Sequence, residues 1–68
     1  MKKFTIRCVD TATGATKTYN YNDEMIASAK FYALVNVSLW NLVELIDNAT
    51  GEILDFDEIP DFFVGWAL

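Results

Sequence analysis

Alternating apolar and polar residues at the start of the chain predict a β-hairpin. Every second residue from position 4 to position 8 is apolar, which is the pattern of a half-buried strand. The run Asp10–Gly14 (DTATG) is typical of a turn that closes on a glycine with positive φ. If Asp10 pairs with Ala15, the apolar residues of both strands share one face. The residues on this face are Phe4, Ile6, Cys8, Tyr19 and Tyr21.

Residues 22–38 predict one helix. Asn22 is a preferred N-cap residue, and Asp23 and Glu24 suit the positive end of the helix dipole. At about 100° per residue, the apolar side chains form two stripes on roughly opposite sides of the helix. Only one stripe is needed to cover a sheet, so the other requires a different cover. The inner stripe is Ala27, Phe31, Leu34 and Val35, and the outer stripe is Met25, Ile26, Ala29, Ala33 and Val37.

The remaining chain repeats the hairpin pattern around a second turn, Asp47–Gly51 (DNATG). A regular ladder across this turn predicts a third strand at 39–47 and a fourth at 52–59. The ladder pairs Asp47 with Glu52 and brings Glu44 opposite Asp55, which is unfavourable unless a nearby group compensates. The predicted core residues of this hairpin are Val43, Leu45, Leu54 and Phe56.

The order strand-strand-helix-strand-strand resembles the small immunoglobulin-binding domains of protein G and the wider β-grasp group. The run from Asp47 to Glu52 is similar to the Asp-Asp-Ala-Thr-Lys-Thr loop of those domains, and Ala27, Phe31 and Val35 have their core-facing helix spacing. The resemblance covers roughly residues 3–57. It implies an α+β fold, ββαββ, with a four-stranded mixed sheet whose first and last strands are parallel neighbours. Its antibody-binding function is not carried over, because the outer helix stripe and the C-terminal residues differ.

One domain is expected over residues 1–68, with a ββαββ core at 1–59 and an apolar tail at 60–68. Pro60 cannot donate to a sheet ladder and therefore ends the fourth strand. The aromatic side chains that follow favour burial. We expect the tail to dock on the outer helix stripe, in its own chain or in a twin's, or else on another protein. The apolar contact residues of the tail are Phe62, Phe63, Trp66 and Leu68.

Charge is distributed unevenly along the chain. The net charge is −5, all five basic residues lie in the first 30 positions, and every residue after Lys30 is acidic or uncharged. Such a chain is a poor candidate for binding nucleic acid and suits a basic protein surface. Alternatively, a β-grasp sheet would bring Lys3 and Arg7 beside Asp55 and Asp57 and neutralise them. The candidate partner-binding acids are Asp55, Asp57, Glu58 and Asp61, and a secondary candidate surface is Trp40, Leu42 and Glu44.

No catalytic residue, metal site or cofactor is expected. The chain has no histidine, which is the commonest general base and metal ligand, and its acids lack the spacing of a calcium loop. Cys8 has no base to activate it, so a core position is the expectation. A single cysteine, the lack of an N-terminal apolar run and the shortness of every apolar run favour a cytoplasmic protein that does not enter membranes.

Two functions remain open at this point. The first is a small acidic, non-enzymatic protein-interaction module, an adaptor or inhibitor that binds a basic surface on a host protein. Its size fits a protein encoded by a virus or a mobile element. The second is a self-associating, homodimeric structural module that pairs its subunits through the outer helix stripe and the C-terminal aromatic residues.

Overall fold

A computed structural model describes residues 2–37 and 39–58 of the chain. The elements follow in the predicted order ββαββ and make one four-stranded sheet with one helix, so the α+β class is confirmed. Neighbouring strands are all antiparallel, in the order β2-β1-β3-β4. The elements are β1 Phe4–Asp10, β2 Ala15–Tyr21, α1 Glu24–Val37, β3 Leu42–Asp47 and β4 Glu52–Glu58.

The observed strand order shows that the expected mixed β-grasp sheet is wrong. β1 pairs with β3, antiparallel, and β4 lies at the edge of the sheet. The composition of the two strands gives a physical reason for this order. A central strand suits apolar side chains, and β3 (LVELID) is more apolar than β4 (EILDFDE), which carries four acids. Acidic residues are better tolerated on an edge strand, where they also discourage aggregation.

The two turns have the predicted conformation and share one hydrogen-bond scheme. Gly14 and Gly51 have φ of 78° and 76°, which a residue without a Cβ adopts at little steric cost. Each glycine N–H donates to the carbonyl of the turn's aspartate, Asp10 or Asp47, at 2.7 Å. Each aspartate carboxylate also accepts from the N–H two residues further on, at 3.0 and 2.9 Å. The predicted register of β1 with β2 is confirmed along its whole length.

The predicted register of β3 with β4 holds only next to the turn. Ile46 pairs with Ile53, but Leu45 pairs with Asp55, so Leu54 is an extra residue in the β4 strand. Each later residue of β4 is therefore displaced by one position, which turns its side chain to the opposite face of the sheet.

Because of this displacement, two residues that were predicted for the core, Leu54 and Phe56, lie outside it. Phe56 pairs with Glu44 on the sheet face away from the helix and is 63% exposed, and Leu54 is 39% exposed. Asp55 takes the place opposite Leu45 that was predicted for Leu54. The predicted like-charge pair of Glu44 and Asp55 is therefore absent.

The core lies between the helix and the two central strands. The inner helix stripe is confirmed at Ala27, Phe31 and Leu34, which are buried, while Val35 is partly buried. Cys8 is a buried core residue, as predicted. The buried core consists of Ile6, Cys8, Ala27, Phe31, Leu34, Val43 and Leu45, with Phe4, Tyr19, Tyr21, Val35 and Trp40 packed against it.

The helix begins one residue later than its predicted cap implies. Asp23 is the N-cap, because its carboxylate accepts from the N–H groups of Met25 and Ile26 at 2.8 and 3.1 Å. The side-chain oxygen of Asn22 instead accepts from the N–H of Lys3 at 3.2 Å. Asn22 therefore ties the start of the helix to the start of β1.

Two asparagines that flank β3 form hydrogen bonds between each turn and the other hairpin. Asn41 is 7% exposed; its side-chain oxygen accepts from the N–H of Thr11 at 2.8 Å, and its amide donates to the Thr11 hydroxyl. At the other end of β3, the Asn48 amide donates to the Thr5 hydroxyl at 2.8 Å, and its backbone N–H donates to the carbonyl of Lys3 at 2.9 Å. These bonds satisfy polar groups that the packing removes from water.

Two phenylalanine substitutions test the register of β4. Phe31→Ala should lower the free energy of unfolding by about 3–5 kcal/mol, because it leaves a cavity in the core. Phe56→Thr should lower it by less than about 1 kcal/mol, because the side chain is largely exposed and threonine favours strands. Urea unfolding of both variants measures the difference. An equal loss from both would mean that Phe56 is a core residue and that the regular ladder is correct.

Candidate interaction surfaces

The acidic residues of β4 alternate between the two faces of the sheet. Asp55 and Asp57 lie on the helix side, since their partners Leu45 and Val43 are core residues. The Asp55 carboxylate accepts from the Tyr32 hydroxyl at 3.2 Å, which links the helix to β4. Glu58 is exposed and lies on the opposite face. The three acids therefore share one edge of the sheet, although they do not share one face.

The secondary candidate surface is divided by the fold. Trp40 packs against the core, whereas Leu42 and Glu44 lie on the face away from the helix, paired with Glu58 and Phe56. Glu44 accepts a charge-assisted hydrogen bond from Arg7, with 2.8 Å between Nε and Oε1. All three remain candidates for contact with a partner, although Trp40 is partly buried against the core.

The expected neutralisation of the β4 acids by β1 is wrong. It required β1 and β4 to be neighbours, but β3 lies between them. Arg7 reaches Glu44 on β3 instead, and this is the one ion pair among the described residues. Asp55, Asp57 and Glu58 therefore make no ion pair among the described residues, although the Asp55 carboxylate accepts from the Tyr32 hydroxyl and from the Phe56 N–H.

The strand order converts the charge distribution of the sequence into a separation in space. The basic residues lie on the side of the molecule formed by the N-terminal segment, β1, β2 and the helix, which also carries the acids Asp10, Asp23 and Glu24. On that side, the ammonium groups of Lys17 and Lys30 lie 5.2 and 4.7 Å from the centre of the Tyr19 ring, within cation–π distance. On the other side, β3, β4 and their turn carry the acids Glu44, Asp47, Glu52, Asp55, Asp57 and Glu58.

An apolar patch lies on the face away from the helix, which we call the open face. Phe56 and Ile53 are 63% and 48% exposed. Ile53 pairs with Ile46, whereas Phe56 pairs with Glu44 and has Leu42 and Ile46 as its diagonal neighbours on β3. The sequence did not reveal this patch, because the displaced register was needed to bring Phe56 to this face. The open-face patch consists of Val9, Leu42, Ile46, Ile53 and Phe56.

The outer helix stripe is a second exposed apolar surface. Met25 is 82% exposed, and Ile26 and Val37 are more than half exposed. Leu39, in the loop after the helix, is 72% exposed. Asp61, Phe62, Phe63, Trp66 and Leu68 lie outside the described residues, so the docking of the tail on this stripe stays a prediction.

Chemistry within the described part of the chain is limited. Among residues 2–37 and 39–58, no three of the Asp, Glu and Cys side chains come together as a metal ion would require, and no helix is long and apolar enough to cross a membrane. Burial raises the pKa of the Cys8 thiol, although the charges of Lys30 and Lys17 act in the opposite direction. A buried thiol with a raised pKa is a weak nucleophile at neutral pH.

The fold defines a small α+β domain, ββαββ, with a fully antiparallel sheet and two exposed apolar surfaces. Comparison with known proteins found no protein-family model, no curated protein and no solved structure that matches this chain.

The reactivity of Cys8 tests its burial. Because the folded protein holds the thiol away from solvent and raises its pKa, alkylation by iodoacetamide at pH 8 should be at least about tenfold slower in the folded protein than in concentrated urea. Mass spectrometry of timed samples measures both rates. Equal rates would show that the cysteine is accessible in the folded protein.

Proposed function

We propose that this protein is a small acidic, non-enzymatic interaction module that binds a basic surface of another protein, as an adaptor or an inhibitor. The observation that carries this proposal is the separation of charge across the sheet. Six acids occupy the half of the molecule formed by β3, β4 and their turn, with no basic residue among them. Arg7 on β1 pairs with one of them, Glu44, and the other five make no ion pair among the described residues. An excess of charge of one sign attracts an oppositely charged partner and speeds the encounter.

The apolar surfaces supply the second requirement for binding. Charge gives steering and selectivity, but affinity in protein interfaces comes largely from buried aromatic and apolar side chains. Phe56 and Ile53 are exposed on the same strand as the acids, so one partner can meet both. The partner surface that complements the acids and the exposed apolar residues is therefore basic and has an apolar centre.

Capture of partners with the tagged full-length protein tests the proposal, with two variants that make the same chemical change. Glu58→Gln removes a charge at the β4 edge, and Glu24→Gln removes one in the first turn of the helix. A basic protein should be retained by the wild type and by Glu24→Gln. Glu58→Gln should weaken its binding by about two- to fivefold, since an exposed charge pair contributes modestly.

Titration of the captured protein against each variant, at low and moderate salt, measures the effect. Binding should weaken as salt screens the charges. The proposal is contradicted if no protein is retained, or if both variants weaken binding equally.

Self-association is the second candidate, and the exposed outer helix stripe favours it. Met25, Ile26 and Val37 form an apolar surface of the kind that a two-fold dimer covers. In this arrangement a twin's tail, or the chain's own, contacts the stripe.

Removal of residues 62–68 tests the role of the tail. Truncation should lower the free energy of unfolding or cause aggregation, because an apolar stripe loses its cover. Urea unfolding measures stability, and sedimentation equilibrium distinguishes a 7.7 kDa monomer from a dimer of the full chain. A truncated protein that stays monomeric with unchanged stability would leave the tail free to bind an external partner.

A further inference from the structure

We infer that the outer edge of β4 binds an extended segment of the partner as a fifth strand, in which basic residues alternate with apolar ones. This inference rests on the proposed function, since it specifies how the acidic module meets its basic partner. Among the described residues, β4 pairs with β3 along one side only, because it is the last strand in the order β2-β1-β3-β4. One of its backbone groups, the Phe56 N–H, donates to the Asp55 carboxylate at 2.9 Å and would have to leave it to pair with an added strand. The outer backbone groups of an edge strand are a template for another strand.

The displaced register gives β4 two different faces, and these select the incoming strand. Asp55 and Asp57 lie on the helix side, whereas Ile53 and Phe56 lie on the open face. Residues opposite one another in neighbouring strands share a face, and pairs of opposite charge or of apolar groups stabilise the sheet. An added strand therefore places basic side chains beside the two aspartates and apolar side chains beside the phenylalanine.

The helix leaves this edge open. Its core-facing residues pack over β3, β1 and β2, and it reaches β4 through the Tyr32 hydroxyl bound to Asp55. β2, at the other edge, is a poorer site for this partner. Its helix side is occupied by Tyr19 beneath the ammonium group of Lys30, and its open face carries Thr16 and Thr18.

A second copy of this chain fits the β4 edge poorly. Pairing of two β4 strands would bring their carboxylates together, and like charges opposite one another are destabilising. The β2 strand of another copy offers one base, Lys17, and threonines in place of the apolar residues that Phe56 favours. The charge pattern therefore favours a different protein and discourages pairing between copies.

Titration of the full-length protein with synthetic peptides tests the inference. The probe is a seven-residue peptide that alternates lysine and valine, which matches the length of β4. A peptide of the same composition with its lysines and valines in two blocks is the control for charge alone. The alternating peptide should bind at least about tenfold more tightly, because only it presents one kind of side chain to each face.

Backbone methylation then distinguishes strand addition from attraction between charges. In an extended peptide, alternate N–H groups point to opposite sides. N-methylation of one alternate set should weaken binding by more than about tenfold, and methylation of the other set should leave it within about twofold. The amides of β4 that point away from β3 should also exchange more slowly with solvent when the peptide is bound.

A protein variant completes the design. Asp57→Asn should weaken the alternating peptide by about two- to fivefold, and Glu24→Gln, which makes the same change of net charge on the helix, should not. Equal binding of the alternating and block peptides, or equal effects of the two methylation patterns, would overturn strand addition. No binding of any peptide would overturn it as well. The proposed function has its own test in partner capture, so failure of the peptides leaves that test intact.

Discussion

The structure depends on the antiparallel pairing of β1 with β3. This pairing sets Ile6 beside Leu45 and Cys8 beside Val43, and it provides the buried floor on which Phe31 of the helix packs. A domain this small has few other apolar residues to bury, so loss of this contact would leave too little core for stability. The two hairpins are arranged about the centre of this pair with their similar turns at opposite ends. Asn41, just before β3, holds the first turn through Thr11, and Asn48, just after β3, holds the second turn to Thr5 of β1.

The extra residue in β4 decides what the molecule presents to its surroundings. In a regular ladder, Phe56 would join the core and Asp55 would face Glu44 across the open face. The displaced register moves Asp55 to the helix side and Phe56 to the open face. It thereby removes a repulsive carboxylate pair, allows the Tyr32 hydroxyl to donate to Asp55, and exposes Phe56. The cost is a smaller core beneath β4. Bulges that redirect side chains are common next to binding sites, because they change the surface without changing the fold.

Strand order has a comparable effect on charge. With β3 between β1 and β4, Arg7 pairs with Glu44, and the acids of β4 remain at the edge without a basic neighbour. The same residues in a β-grasp order would have formed a neutralised sheet. The proposed binding role rests on this acidic edge, on the exposed Phe56 and on the apolar helix surface. The chain contains no histidine, and the Cys8 thiol is buried.

The sequence by itself determined the features that depend on near neighbours along the chain. These are the glycine turns, the β1–β2 register, the span of the helix and its inner stripe, because local conformation and periodicity decide them. It also identified the acids at the candidate surface, but not the face of each or the open-face patch. Tertiary structure decided the strand order, the extra residue at Leu54 and the partner of Arg7. Each of these depends on which distant segments pack together, and several pairings satisfy the same alternating pattern until the core selects one.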